Sequence, residues 1–150
     1  MGTAPSPTSN YDSDFYAWAM EQAALIRAGN LAAVDLEHVA EEIESMGKTE
    51  KRELISRLKV LLLHLLKWRH QPGLRGNSWR LSIANTRDEL ADHLADNPSL
   101  KARLAETNAT AYRYARREAA LETGLPLATF PEICPWSFDQ ISGDDFWPEA

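Results

Sequence analysis

Leu54, Leu58, Leu61, Leu65 and Trp68 stand at a 4-3-4-3 spacing, and Ile55, Leu62 and Leu66 widen the stripe they draw. An apolar arc that broad marks the central helix of a core, covered by neighbours on more than one side. The helix is predicted from about Thr49 to Arg69 or His70, where Gln71-Pro72-Gly73 stops it. A chain of 150 residues, with 44% apolar and 25% charged side chains, is normally one soluble domain able to bury a real core.

The flanking segments carry the same period. A first helix is predicted from about Asp14 to Ala28, with Phe15, Trp18, Ala19, Gln22, Leu25 and Ile26 on its apolar side. Asp12 or Ser13 can cap it, and Gly29-Asn30 ends it. A second runs from near Asp35 to Gly47, with Leu36, Val39, Ala40, Ile43 and Met46 as its stripe. The core helix is then the third. A fourth opens near Asn77 or Ser78, ends about Ala95, and turns Trp79, Ile83, Leu90 and Leu94 inward. A fifth is expected from Pro98 to Thr123, closed by Gly124.

Residues 125–150 lose the helical period but hold Phe130, Trp136, Phe138, Phe146 and Trp147, too many aromatics for a disordered tail. The fold class is therefore all-α: a bundle of about five helices, mostly antiparallel, with an ordered, aromatic-rich, non-helical C-terminal strap. Residues 1–10 read as a disordered lead, and 11–150 as a single helical domain.

Charge is segregated. Residues 1–50 carry nine acids and two bases, residues 51–80 eight bases and one acid, and residues 119–150 six acids and no base. The net charge of −6 argues against a protein that coats nucleic acid over its whole surface, but leaves room for a local basic patch. One cysteine, Cys134, excludes an internal disulfide and suits a reducing cytoplasm. The longest apolar run, residues 60–66, is too short for a membrane span and is broken by His64.

Several blocks read together as a family. They are Tyr11-Asp12-x-Asp14-Phe15-Tyr16-x-Trp18, Asp35-Leu36-Glu37 and Ala40-Glu41-Glu42-Ile43-Glu44-Ser45-Met46-Gly47. Then come Leu61-Leu62-x-His64-Leu65-Leu66-Lys67-Trp68, Gln71-Pro72, Arg75-Gly76-x-Ser78-Trp79, Glu122-Thr123-Gly124-Leu125 and Phe130-Pro131-x-x-Cys134-Pro135. In this order they resemble the bacterial family called domain of unknown function 29. The resemblance implies a small, mainly helical bacterial protein. It transfers no activity and no catalytic residues.

Three sites follow from the residues themselves. Asp35, His38 and Glu42 share one strip of the second helix. An antiparallel third helix would bring His64 to them as a divalent-metal set, although the paired Glu-x-x-His of di-iron bundles is absent. The turn after the core helix gathers Arg69, His70, Arg75, Asn77, Ser78 and Arg80 near Trp68 and Trp79. These groups suit phosphate binding and base stacking. Internal pairing with the acidic segments is the favoured reading, because positive and negative blocks within one small domain usually meet. Trp136, Phe138, Phe146 and Trp147 form a strap able to cover an apolar groove on its own domain or on a neighbour. Gln22, His64 and Asn108 lie within apolar stripes and each calls for a hydrogen-bond partner.

No Ser-His-Asp or Cys-His arrangement is legible, so a non-enzymatic protein-interaction module, self-associating or with another protein, leads. A nucleic-acid or polyanion-binding accessory protein using residues 51–80 is the alternative, and a metal-dependent enzyme on the second helix the third. No cofactor is expected unless that metal is real, and no membrane partner.

Overall fold

A computed structural model describes residues 10–149. The expected disordered lead falls, apart from Asn10, outside them. The described residues hold five α-helices and no strand: α1 (Phe15–Arg27), α2 (Leu36–His70), α3 (Asn77–Asp96), α4 (Leu104–Thr123) and α5 (Phe138–Ser142). They form two compact units, one up to Lys48 and one from Thr49 onward.

The helix count agrees with expectation for a different reason. The second and third predicted helices are one element of 35 residues, because Gly47 does not stop α2. A mid-helix glycine costs only about 1 kcal/mol relative to alanine. No proline stands nearby to break the hydrogen-bond ladder, and Gly47 keeps an ordinary negative φ. The fifth helix comes from the strap instead, where Ser137 and Gln140 form a capping box around one short turn of helix. The strap is thus not wholly non-helical. At the other predicted start, Pro98–Arg103 winds as a 3-10 turn before α4 begins at Leu104. Asp14, rather than Asp12 or Ser13, caps α1 by accepting from the Ala17 amide at 3.1 Å.

In the unit from Thr49, Leu54, Leu58, Leu61, Leu62, Leu65 and Leu66 are fully buried along α2. Each is worth about 1.5–3 kcal/mol of transfer out of water. Ile83, Leu90 and Leu94 of α3 face them, and α4 contributes a flatter surface of Ala111, Tyr112, Ala115 and Ala119. Phe130, Trp136 and Ile141 complete the core.

Ion pairs report the direction of each helix. Lys51, Lys59 and Lys67 of α2 meet Glu106, Glu118 and Glu122 of α4, at 2.6, 2.9 and 3.0 Å. Both sets of numbers rise together, so α2 and α4 run parallel. Glu50 and Arg57 of α2 meet His93 and Glu89 of α3 in the reverse order, so α3 runs antiparallel to α2. The expected antiparallel neighbours hold for α3, and the parallel α2–α4 pair is an addition.

Arg87 sits at i+4 from Ile83 and i−3 from Leu90, in the middle of the inward face of α3, and is buried. Its guanidinium donates to the carbonyls of Ile141 at 2.8 Å, Asp144 at 3.4 Å and Phe146 at 2.6 Å. It also lies 5.3 Å from the Trp147 ring. One cation thereby satisfies three backbone carbonyls of the C-terminal segment.

Candidate functional site

In the unit up to Lys48, the first turns of α2 reverse the expected inside and outside. Leu36, Ile43 and Met46 are 65%, 59% and 61% exposed, and Ala40 beside them is also exposed. The side that α2 turns toward α1 is polar. Asp35, at the N-cap of α2, accepts from the Trp18 indole N–H at 3.1 Å, and its own amide donates to Gln22 Oε1 at 2.7 Å. His38 Nδ1 lies 2.7 Å from Asp35 Oδ2, and the His38 ring stacks on Tyr11 with centroids 4.1 Å apart. The Tyr11 hydroxyl donates to Glu42. Buried indole and phenol groups seek acceptors, and the strip Asp35, His38 and Glu42 supplies them.

Electrostatics follow from these contacts. The Tyr11 hydroxyl beside Glu42 has its pKa raised to about 12. The hydrogen bond from His38 lowers the Asp35 pKa from 3.8, and the bond to Asp35 raises that of His38 from 6.5, with Glu41 and Asp12 adding to the rise. The His38 contribution to stability is complete below 6.5 and is lost as pH rises through the raised value. The Asp35 contribution is complete above 3.8 and is lost as pH falls through the lowered one. His38→Gln is therefore expected to lower the melting temperature most near about pH 5 and progressively less above about pH 7. A difference from wild type that stays constant between these values in a thermal-melt series would remove the ion pair from the account.

The proposed metal set is brought together in part. Asp35 and His38 pair, but Glu42 is engaged with Tyr11, and the three do not bring their ligand-type atoms together. The antiparallel packing that would add His64 does not form, since both stretches belong to the one helix α2. His64 Nδ1 instead donates to the Val60 carbonyl at 2.8 Å. Sequence reasoning missed a second grouping, Glu50, Glu53 and His93, whose ligand-type atoms lie within 4.8 Å of one another. His93 Nε2 faces the Glu50 carbonyl at 2.8 Å, so that nitrogen carries a proton and presents no lone pair. Glu53 is bound to Arg57 at 2.5 Å. This grouping fastens α2 to α3.

The basic turn is drawn inward. Arg75 donates through Nε to the Trp68 carbonyl at 2.7 Å, lies 5.0 Å from the Trp68 ring, and reaches Glu149 at 3.5 Å. Arg80 shares the Trp68 ring at 5.2 Å and bonds Asn77 Oδ1 at 3.3 Å. His70 packs edge-on to Phe130 at 4.9 Å, and burial lowers its pKa, with Arg69 adding to the effect. Arg69 makes no ion pair among the described residues. Asn77 and Ser78 are exposed at the start of α3, which no side chain caps.

The strap aromatics lie against their own core. Trp136 is buried, and Phe138, Phe146 and Trp147 pack on the cluster, with Trp147 4.7 Å from Trp68. Ile133 alone among the large apolar side chains of residues 130–149 is strongly exposed, at 82%. Of the polar residues placed in apolar stripes, Gln22 and Asn108 are buried and each keeps one amide atom without a partner.

Among the described residues, no helix is long and apolar enough to cross a membrane. Comparison with curated proteins and with solved structures gives no match. Residues 10–147 match one family, and over nearly its whole length the chain thus belongs to the family described as Domain of unknown function DUF29.

Proposed function

We propose that this protein is a non-enzymatic interaction module that docks a protein partner on Leu36, Ala40, Ile43 and Met46. One observation carries the reading: the first turns of α2 spend their polar side on α1 and leave three large apolar side chains on one face in water. A helix normally buries such a stripe. Glu37, Glu41 and Glu44 border it. A second copy meeting it face to face would set acid against acid. The fitting occupant is an amphipathic helix of another protein, apolar at i, i+3 or i+4 and i+7, with lysine or arginine at its edges.

The basic segment gives weaker support to a polyanion role, because Lys51, Arg57, Lys59, Lys67 and Arg75 each already meet a carboxylate. Cys134 as the lone cysteine fits a reducing compartment, and we place the protein in the cytoplasm.

The test is affinity purification of the tagged protein from its own cells beside Ile43→Ser/Met46→Ser. Both positions are exposed, so the helix is retained, as circular dichroism checks. Wild type should bring down one protein near equal stoichiometry, and the double variant about tenfold less or lower. A partner kept by the variant, or wild type recovered alone, would overturn the reading. Nucleic acid recovered at low salt and shed as salt rises would move the function to residues 69–80.

A further inference from the structure

Between α4 and residues 127–136 lies a cleft of about 500 Å³, within the range of small-molecule sites. It stands in the unit from Thr49, apart from the docking face, and no sequence motif pointed to it. Arg113, Arg116 and Arg117 line one end. Their i, i+3, i+4 spacing sets three guanidinium groups on one turn of α4. None has a carboxylate within ion-pair distance among the described residues, in contrast to the lysines on the α2 side. Arg116 donates Nε to the Phe130 carbonyl at 3.1 Å, which orients its outer nitrogens without neutralising them. Arg113 contacts only the hydroxyl and ring of Tyr114, and Arg117 makes no hydrogen bond among the described residues. Glu132 is the one carboxylate in the lining, so the net charge there stays positive.

The floor is neutral and braced. The Tyr112 hydroxyl donates to the Pro131 carbonyl at 2.5 Å, and the Cys134 thiol donates to the Trp136 carbonyl at 3.3 Å. Burial raises the pKa of both groups, that of Tyr112 to about 12, so neither is charged near neutrality and the thiol is no nucleophile. Asn108 lies at the far end of the cleft and is 9% exposed. Its Nδ2 approaches Cys134 Sγ at 4.0 Å. The thiol hydrogen is already given to Trp136, so sulfur presents a lone pair and the amide must turn its N–H there. Asn108 Oδ1 is left buried with no donor.

Asn108 and Arg117 are nine residues apart on α4, about 13 Å along the axis. We propose that the cleft binds a small organic anion, its phosphate or carboxylate held by Arg113, Arg116 and Arg117. Trp136, Leu127 and Ile133 in the lining offer apolar contact.

The test uses the full chain with four probes: inorganic phosphate, adenosine monophosphate, cytidine monophosphate and 4-hydroxybenzoate. Binding is followed by calorimetry and by amide NMR, including the Asn108 side-chain resonances. At least one organic probe should bind with a Kd of about 1 mM or tighter, and tighter than inorganic phosphate. Which probe binds separates a phosphate ligand from a carboxylate one. Arg113→Gln/Arg117→Gln, two exposed positions whose loss leaves the fold intact, should weaken it about tenfold or more, and the Asn108 side-chain signals should shift on binding to wild type. No probe binding at about 10 mM, unchanged affinity in the double variant, or a still Asn108 would each overturn the proposal.

Discussion

Arg87→Leu is expected to release residues 141–146 from the bundle and to cost about 3–4 kcal/mol in urea unfolding, since charge-assisted hydrogen bonds to three carbonyls go at once. The arginine is 4% exposed, and each of those carbonyls belongs to the C-terminal turn rather than to α3. Leucine fills part of the space and satisfies none of the acceptors. Arg87→Lys keeps the cation but loses the planar fork that reaches three oxygens, so it should recover only part of the loss. Trp147 lies over the guanidinium, and its fluorescence reports local release apart from global unfolding. A loss below about 1 kcal/mol for the leucine variant would mean that water replaces the guanidinium freely, and the anchor would be refuted.

Phe130→Ala is the second large expected effect, a loss of about 3–5 kcal/mol by calorimetric or urea unfolding. The ring is 1% exposed and meets His70 edge-on. Its backbone carbonyl takes Arg116 and the next carbonyl takes Tyr112, so the ring is the pin that lets both bonds form. Removing it leaves a cavity in the core and loosens the wall of the cleft along α4. Phe130→Leu, which keeps most of the volume, should cost less than half as much. Equal losses for the two variants would show that the aromatic shape, and not the filled volume, matters.

The sequence announced the core helix clearly. Leu54 to Trp68 admitted no other reading, and the stripe lies where its period placed it. The first turns of α2 show what period leaves open. The spacing of Leu36, Ile43 and Met46 says that they share a face, but not that the face looks inward. That was decided by Tyr11 and Trp18, whose hydroxyl and indole N–H required the carboxylates opposite. Gly47 reads as a stop because glycine ends many helices, yet within a helix its cost is small beside that of breaking a long one. Arg87 was legible in principle, as a charged residue in the centre of an apolar stripe. The lysine–glutamate pairs were not, because each joins residues 55 or 59 positions apart and local pattern carries no such distance. The same holds for the cleft: its three arginines share a turn of α4, while the wall facing them comes from a different stretch of chain.

Those lysine–glutamate pairs have one further consequence. Each is partly exposed and contributes only about 0–1 kcal/mol to stability. Their value lies in competition. An outside phosphate chain that approaches α2 meets lysines already served by carboxylates of the same molecule, present at an effective concentration of at least about millimolar. A polyanion must displace these tethered rivals before it reaches Lys51, Lys59 or Lys67. The pairs thus act as a standing internal competitor for those three lysines.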